Sequence, residues 1–319
     1  MNDRENLQSI EKAIPLTYVG EKIKTYLKDE LGLSTRFVRS AALSRRILIN
    51  GKTVKLDYIL REEDQLRIHL EAKEHQEIEA EDIPIHVVYE DDAILVLNKE
   101  PYMVVHPTKS YQSGTLSNAV MHHYKSNGKS TIIRLVSRLD MNTSGLIILA
   151  KNQFVHSRIS QDMQADLYEK YYVAIVKGAF PEETTLIDLP IYRDEEGAYQ
   201  RVVDERGQRS LTEVKVLHYA DGYTLLLLKL LTGRTHQIRV HLSHLGFPII
   251  GDELYGGDLS IMKRQALHAV YLSFRHPVTE ETMNAYAEVL DDFKEAAQSL
   301  GLDLDTIDNE IAKLQVVES

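Results

Sequence analysis

The 319-residue sequence contains no cysteine. This absence excludes disulfide bridges, thiolate zinc sites and cysteine nucleophiles, and it suits a reducing cytoplasm, where we expect the protein to reside. No stretch approaches the ~20 apolar residues of a membrane span, and the polar start Met1–Glu5 lacks the basic and apolar regions of a secretory signal. We therefore expect no membrane partner.

The formal net charge of −11 is unevenly distributed along the chain. Residues 20–70 carry +4 and residues 93–279 carry +3, whereas residues 71–92 carry −8 and residues 280–319 carry −9. Acidic segments of this kind are ordinarily solvated linkers and tails. Because the acid lies in these segments, the negative total does not exclude a nucleic-acid partner.

Length and patterning divide the chain into four parts. A chain of 319 residues exceeds the usual size of one domain. The run Glu71–Glu77 is highly charged and has no apolar period, which is typical of a linker. We expect an N-terminal extension over residues 1–19, a small domain over 20–75, a larger domain over 76–290 and an acidic C-terminal tail over 291–319.

The small domain reads as an α/β unit. Apolar spacing predicts a helix over residues 21–31 and a second over 35–43. The pair Asn50-Gly51 lies between two β-rich runs and predicts a hairpin, and a strand over residues 66–70 would close the unit.

The larger domain contains more strand candidates than long helices. This balance favours an α+β fold with a mixed, largely antiparallel sheet over a doubly wound parallel sheet. The strand candidates are residues 85–89, 93–98, 146–150, 171–176, 212–216 and 224–231. Residues 283–297 and 305–316 look helical, and either cap the domain or fray.

The segment VSRLDMNTSG, residues 136–145, places a carboxylate, Asp140, in a polar turn that feeds the apolar run 146–150. Turns held by a rigid scaffold often carry catalytic groups. An ordinary turn stabilised by Asn, Ser or Thr side chains explains the same pattern.

The segment LTGRTHQIRVHL, residues 231–242, predicts a strand end, a turn and a helix capped by Thr235. His236 and Arg239 are three residues apart, so both can face an anion from one helical side. A metal site is disfavoured, because His236 and His241 do not share a helix face and His241 and His244 lack a third ligand. We expect no metal.

The segment KYYVAIVKG, residues 170–178, predicts a strand that begins with tyrosines. Strand tyrosines ordinarily pack with the hydroxyl at the solvent edge. A tyrosine can also stack on a nucleic-acid base.

Together the three segments resemble the RluA-type family of RNA pseudouridine synthases. That family carries Arg-Leu-Asp-x-x-Thr-Ser-Gly-Leu, Lys-x-Tyr-x-Ala and Gly-Arg-x-His-Gln-Ile-Arg-x-His in this order, and they match residues 138–146, 170–174 and 233–241. Further similarity extends the resemblance to roughly residues 83–277. Ser137 replaces a common histidine, and Glu100 is inserted between Lys99 and Pro101.

The resemblance implies conversion of uridine to pseudouridine in RNA without a cofactor. It implies that Asp140 is the catalytic carboxylate, acting as a nucleophile at C1′ or as a base at C2′; the two routes stay open. Arg239 would pair with Asp140, and Tyr172 would stack on the target base. Arg138 would lie beside the extruded nucleotide. Ile238 would line the pocket, and Arg234 and His236 would contact RNA.

Residues 20–70 separately resemble an S4-type RNA-binding domain. Its basic side chains either contact RNA phosphates or form an ordinary solvated face. The candidate contact residues are Lys22, Lys24, Arg36, Arg39, Arg45, Arg46 and Lys52. Such a domain favours large-subunit ribosomal RNA over tRNA as substrate, by analogy within the family.

Two other functions compete. A catalytically silent RNA-binding protein would not need Asp140, Tyr172 and Arg239 together. A glycoside or nucleoside hydrolase would need a second carboxylate in an acid role. Asp252 and Glu253 are near the motifs, but no such role can be argued for them. We expect a monomeric isomerase.

Overall fold

The computed structural model describes residues 9–70, 76–128, 132–193 and 199–317. Most of the predicted linker, residues 71–75, lies outside this range. No helix in these stretches is both long and apolar enough to cross a membrane.

The N-terminal unit is a four-stranded sheet with two helices. The strand order is β1-β4-β2-β3. The elements are β1 Ser9–Ala13, α1 Ile23–Asp29, α2 Thr35–Leu43, β2 Ile47–Ile49, β3 Lys52–Thr53 and β4 Gln65–His69. A single-turn 3-10 helix, Leu16–Tyr18, precedes α1. Residues 9–13 therefore belong to the sheet, which corrects their assignment to an extension.

Local sequence signals explain this unit. The Ser34 side chain accepts a hydrogen bond from the Phe37 amide and caps α2. Asn50 and Gly51 both have positive φ, at 51° and 76°, as a tight hairpin turn requires. The predicted hairpin is confirmed by the pairing of Ile49 with Lys52.

The larger unit is built on one ten-stranded sheet. Its main order is β10-β13-β14-β9-β15-β8-β6-β5, with β16 on β15 and β7 on β8. The β15–β8 pairing is parallel, and the other pairings described in this sheet are antiparallel. The α+β class with a largely antiparallel sheet is thus confirmed.

The strands of the larger unit are β5 His86–Glu90, β6 Ile94–Lys99, β7 Arg134–Leu135, β8 Ser144–Ala150, β9 Tyr168–Lys177, β10 Thr184–Asp188, β11 Ile191–Tyr192, β12 Val202–Val203, β13 Leu211–Ala220, β14 Tyr223–Leu230, β15 Leu267–Arg275 and β16 Thr282–Tyr286. The helices are α3 Leu116–Ser126, α4 Gln153–Gln164, α5 Gln237–His244, α6 Asp291–Ser299 and α7 Asp305–Val317, with a 3-10 turn at Glu253–Tyr255. All six predicted strands are present, with shifted ends. The short β11 and β12 form a separate two-stranded ribbon.

The C-terminal region departs from the prediction. Residues 283–286 form β16 and not a helix, because they pair with β15 and bury Ala285. Tertiary pairing here overrides local preference. The acidic segment is also not a free tail: Phe293 and Ile307 are almost fully buried, and Glu310 pairs with Lys215 at 2.6 Å.

Candidate active site

The register of the central strands places the Asp140 loop near Tyr172. Ala269 of β15 pairs with Gly145 on one side and with Tyr172 on the other. Gly145 has φ +107°, and a Cβ there would lie 2.3 Å from the Ala269 carbonyl oxygen. Only glycine permits this close approach. The segments 136–145 and 170–178 therefore lie on either side of β15, at the same residue along that strand.

Buried side chains hold the backbone of the Asp140 loop. The Lys99 ammonium donates to the carbonyls of Glu100, Met103 and Met141 at 2.7–3.0 Å, which uses all three of its hydrogens. Burial and the Arg264 charge lower the pKa of Lys99 to about 7. The residue after Asp140 is thus tied to the end of β6.

A second contact to this loop comes from the C-terminal region. Arg264 is fully buried and donates to the Asn142 carbonyl at 3.3 Å. The same guanidinium makes two hydrogen bonds to Asp292 of α6, at 2.6 and 2.8 Å. The C-terminal acidic segment therefore supports the Asp140 loop through one arginine.

The segment 231–242 contains a turn that is held by Gln237. Its side-chain oxygen accepts from the Arg234 amide and the Thr232 hydroxyl, and its amide donates to the Leu211 carbonyl at 2.8 Å. α5 starts at Gln237 after His236, which has the left-handed φ of 58°. The prediction that Thr235 caps this helix is wrong, because Gln237 holds the turn instead.

Arg239 connects two carboxylates. Its Nη1 donates to Oδ2 of Asp140 at 2.9 Å, while its Nε and Nη2 donate to Asp252 at 2.7 and 2.8 Å. Asp252 is 1% exposed and Arg239 is 7% exposed. Burial alone would lower the pKa of Arg239, but the bonds and charges of Asp252 and Asp140 outweigh it and raise that pKa. The cation therefore stays charged, and its plane is fixed toward Asp140.

His236 faces the other oxygen of the Asp140 carboxylate. Its Nε2 lies 3.8 Å from Oδ1 of Asp140, and its Nδ1 lies 2.9 Å from the Tyr255 hydroxyl. That hydroxyl accepts the Arg201 amide at 2.9 Å, so its own hydrogen can point at Nδ1. When the hydroxyl donates to Nδ1, the imidazole proton lies on Nε2, toward Asp140. Burial lowers the pKa of His236, against the effect of the Asp140 charge, and so favours the neutral ring.

Tyr172 and Lys170 form a buried pair on β9. Both are 5% exposed, and the Lys170 ammonium lies 5.0 Å from the centroid of the Tyr172 ring. Burial raises the pKa of Tyr172 well above its usual value, with further contributions from Tyr168 and Asp140. Burial lowers the pKa of Lys170 to about 7, although the Asp140 charge acts in the other direction.

The other predicted site residues differ in exposure. Arg138 and Arg234 are exposed, whereas Ile238 is buried. In the N-terminal unit, six of the seven basic candidates are exposed: Lys22, Lys24, Arg36, Arg39, Arg45 and Lys52. Arg46 is buried and donates to the His69 and Leu70 carbonyls, so it supports the unit and does not face solvent.

Sequence reasoning missed the roles of Asp252 and Tyr255. The sequence indicates no acid role for Asp252, and no motif singles out Tyr255. The signal that could have identified Asp252 is physical: a buried Arg239 that binds one carboxylate at its outer nitrogen needs a second partner for the others. Within the described residues, no three His, Asp or Glu side chains are grouped so that they could hold a metal ion.

Comparison with known proteins identifies the family. Residues 93–244 match the family model of RNA pseudouridylate synthases. The chain is 39% identical to an uncharacterized RNA pseudouridine synthase of Bacillus subtilis, YjbO, over 85% of this chain and 96% of that protein. It is 36% identical to ribosomal large subunit pseudouridine synthase D of Haemophilus influenzae, over 75% of this chain and 78% of that one.

A solved structure agrees with this assignment. Human RNA pseudouridylate synthase domain containing 1 superposes with a TM-score of 0.53 at 28% identity, over 68% of this chain and 86% of the other. The chain belongs to the RluA-type family of RNA pseudouridine synthases. It is an isomerase that acts on RNA.

Proposed function

We propose that this enzyme isomerises specific uridines of large-subunit ribosomal RNA in the cytoplasm, with Asp140 as the catalytic carboxylate. The observation that supports this most directly is the 2.9 Å hydrogen bond from Arg239 to Oδ2 of Asp140, in a residue pair drawn from two motifs 99 positions apart. Asp140 is 27% exposed at its side chain, so it is held by a buried cation and still accessible to substrate.

The two oxygens of Asp140 have different surroundings, which supports different roles for them. Oδ2 is occupied by Arg239, and Oδ1 faces His236 at a distance too long for a hydrogen bond. Oδ1 is therefore the atom that reacts with the ribose. In one route it attacks C1′ and uracil leaves with the electrons of the C1′–N1 bond. In the other it removes the C2′ proton, and a glycal forms as uracil leaves.

The uracil must then rotate in the site and rejoin C1′ through C5. In the first route the Oδ1–C1′ bond breaks as the C1′–C5 bond forms, and in the second Asp140 returns the proton to C2′. In both, C5 then loses its proton and N1 gains one. Tyr172 supplies a buried aromatic face for the base, since an extruded base is commonly held by stacking. Lys170, beside that ring and with its pKa near neutrality, is suited to exchange a proton at working pH. Arg138 is exposed two residues before Asp140 and is suited to lie beside the extruded nucleotide.

The N-terminal unit would act as an S4-type RNA-binding domain. Arg36 and Arg39 are exposed and three residues apart on α2, so they lie on one side of that helix. A relative at 36% identity is named a ribosomal large subunit synthase, which supports ribosomal RNA as the substrate class.

The test is to incubate the protein with unmodified large-subunit ribosomal RNA and map pseudouridine by its carbodiimide adduct. The Asp140→Asn variant should lose at least ~10⁴-fold in rate, because it removes the reacting group. Asp166→Asn is the matched control: Asp166 is exposed with φ 56°, a conformation that asparagine tolerates.

Discrete sites made by the wild type and by Asp166→Asn, and none made by Asp140→Asn, would support the proposal. Modification of tRNA with no change in ribosomal RNA would overturn the substrate assignment. Full activity of Asp140→Asn would overturn the role of the aspartate. A primary isotope effect with 2′-deuterated uridine would identify the glycal route, and its absence the nucleophilic one.

A further inference from the structure

A basic groove lies beside the site. Its volume is about 470 Å³, and its ten lining residues include Tyr192, Arg193, Arg201, Arg206, Arg234 and Thr235. Four of these ten residues are arginines, and none of the ten is acidic. One wall is the β11–β12 ribbon with the turn that follows it, and the other is the turn that leads into α5.

The ribbon wall is structurally defined. Gly207 approaches Ile191 so closely that a Cβ would lie 2.4 Å from the Ile191 carbonyl carbon. Arg206 lies over the Tyr192 ring, with 4.3 Å from its guanidinium carbon to the ring centroid. Asp204 accepts two hydrogen bonds from the Arg206 side chain and holds its plane. Arg206 is thus pre-oriented at the groove.

The groove is joined to the candidate active site. The Tyr255 hydroxyl accepts the amide of Arg201, a groove residue, and also contacts Nδ1 of His236. Thr235, at the opposite wall, is the residue before His236, and adjacent Cα atoms are about 3.8 Å apart. The groove therefore adjoins His236, whose Nε2 lies 3.8 Å from Oδ1 of Asp140.

We propose that this groove binds the sugar-phosphate backbone of the substrate RNA immediately beside the target uridine. This inference rests on the proposed function, because it assumes that the uridine is bound at Asp140. Arg193 and Arg234 are exposed on the two walls and would contact phosphodiester oxygens from opposite sides. Arg206, whose charge is paired with Asp204, would hold the shape of the ribbon wall through its contact with Tyr192.

The residue types favour a phosphodiester. Guanidinium groups match the geometry of phosphate oxygens and form charge-assisted hydrogen bonds to them. These interactions are with the backbone, so they would set the position of the RNA and not its sequence. Holding the backbone on one side of the uridine would also fix the point about which the nucleotide rotates out of the RNA.

The first test measures binding without turnover. In the Asp140→Ala background, the Kd for an RNA hairpin that carries a mapped target uridine is measured by fluorescence anisotropy at several salt concentrations. Arg193→Gln/Arg234→Gln should weaken binding about tenfold or more. The slope of log Kd against log salt should fall by about 0.7 for each phosphate that the variant no longer neutralises. Lys313→Gln, which removes a remote charge that is 68% exposed, is the control and should change neither quantity.

The second test locates the phosphate. A neutral methylphosphonate is placed at each backbone position around the target uridine. At the position bound by the groove, it should weaken binding to the parent protein but have little further effect on the double variant. Thermal unfolding of the variant should match that of its parent, since both arginines are exposed.

An unchanged Kd and salt slope in the double variant would overturn the proposal, as would equal weakening by Lys313→Gln. Full additivity of the methylphosphonate and arginine effects at every position would overturn it too. These outcomes are separate from failure of the proposed function, which would appear as absence of pseudouridine in the wild-type reaction.

Discussion

Arg239 and Asp252 form a two-point ion pair in the interior, with Nε to Oδ2 at 2.7 Å and Nη2 to Oδ1 at 2.8 Å. The pair fixes the guanidinium plane and leaves Nη1 for Asp140. Asp252 would therefore position the cation without touching the substrate.

Asp252→Asn should lower kcat about 100-fold, because a small misplacement of Arg239 misaligns Asp140. It should also reduce the free energy of unfolding by about 3 kcal/mol, since it leaves a buried cation short of one partner. Pseudouridine formation and urea unfolding are the measurements. Asp188→Asn is the control: Asp188 makes the same two-point contact with Arg209 on the surface, where water screens the pair and its loss should leave activity and stability nearly unchanged. Equal effects of the two changes would contradict the positioning role.

Tyr255→Phe should remove the contact that selects one tautomer of the His236 ring. Without the hydroxyl, Nδ1 loses its donor, and the ring can carry its proton on either nitrogen. We expect a fall in kcat of about tenfold, in the range of a lost hydrogen bond, and a mixture of tautomers in ¹⁵N NMR spectra where the wild type shows Nε2–H. Tyr286→Phe removes a hydroxyl that contacts Asp308 at the surface and should leave both readouts unchanged. A wild-type spectrum with Nδ1–H would refute the assignment.

Lys170 should make stability depend on pH. Its pKa is lowered to about 7 in the folded protein and is near 10.4 in the unfolded chain. Between these values the unfolded chain binds more protons, so stability should rise with pH from about 7 to 10 and stay low below 7. Lys170→Met should remove part of this rise and stabilise the protein at pH 7. Lys177→Met, at the exposed end of the same strand, should leave the pH profile unchanged. Parallel profiles for all three proteins would rule out the Lys170 contribution.

Gly145→Ala should be among the most damaging single-methyl changes in the chain. The new Cβ would lie within 2.8 Å of backbone atoms of Ala269. Relieving this overlap would require β8 and β15 to move apart and lose their pairing, which costs free energy of folding. We expect a loss of more than about 3 kcal/mol or failure to fold. Gly222→Ala shares a positive φ of 82° but meets nothing within 4 Å, so it should cost about 1 kcal/mol. Thermal unfolding of both variants checks this, and similar costs would show that backbone conformation alone matters.

Asp292→Asn should reduce activity although Asp292 lies on α6. The change weakens the pair that holds Arg264 against the Asn142 carbonyl, so we expect kcat to fall about tenfold with unchanged RNA affinity. The neighbouring Asp291→Asn removes the same charge from an exposed position and is the control. Weaker RNA binding by Asp292→Asn would indicate a different role.

The sequence predicted the elements whose formation depends on residues close together in the chain. Short apolar and β-rich runs located six strands, and the Asn50-Gly51 pair located a hairpin, because these signals lie within a few residues. Family motifs brought Asp140 and Arg239 together as an expectation, and the structure places them 2.9 Å apart.

The errors arose from contacts distant in sequence. Residues 283–286 form a strand because they pair with β15. In the acidic C-terminal segment, Glu310 pairs with Lys215 and Asp292 pairs with Arg264. Arg46 looked like an RNA contact, but its backbone partners lie 23 and 24 residues away and hold it inside the unit. Asp252 has a role only through Arg239.

The parallel pairing of β8 with β15 also determines when, during synthesis, the Asp140 turn can reach its folded position. Ser144 bonds to His268, 124 residues later in the chain, so the Asp140 turn is synthesised long before the strand that fixes it. At about 5–20 residues per second, the ribosome needs roughly 6 to 25 seconds to make that interval. A nascent chain therefore carries its N-terminal unit, which we propose to be an RNA-binding domain, well before the strand that fixes the Asp140 turn has been made. The candidate active site is assembled only at the end of this interval.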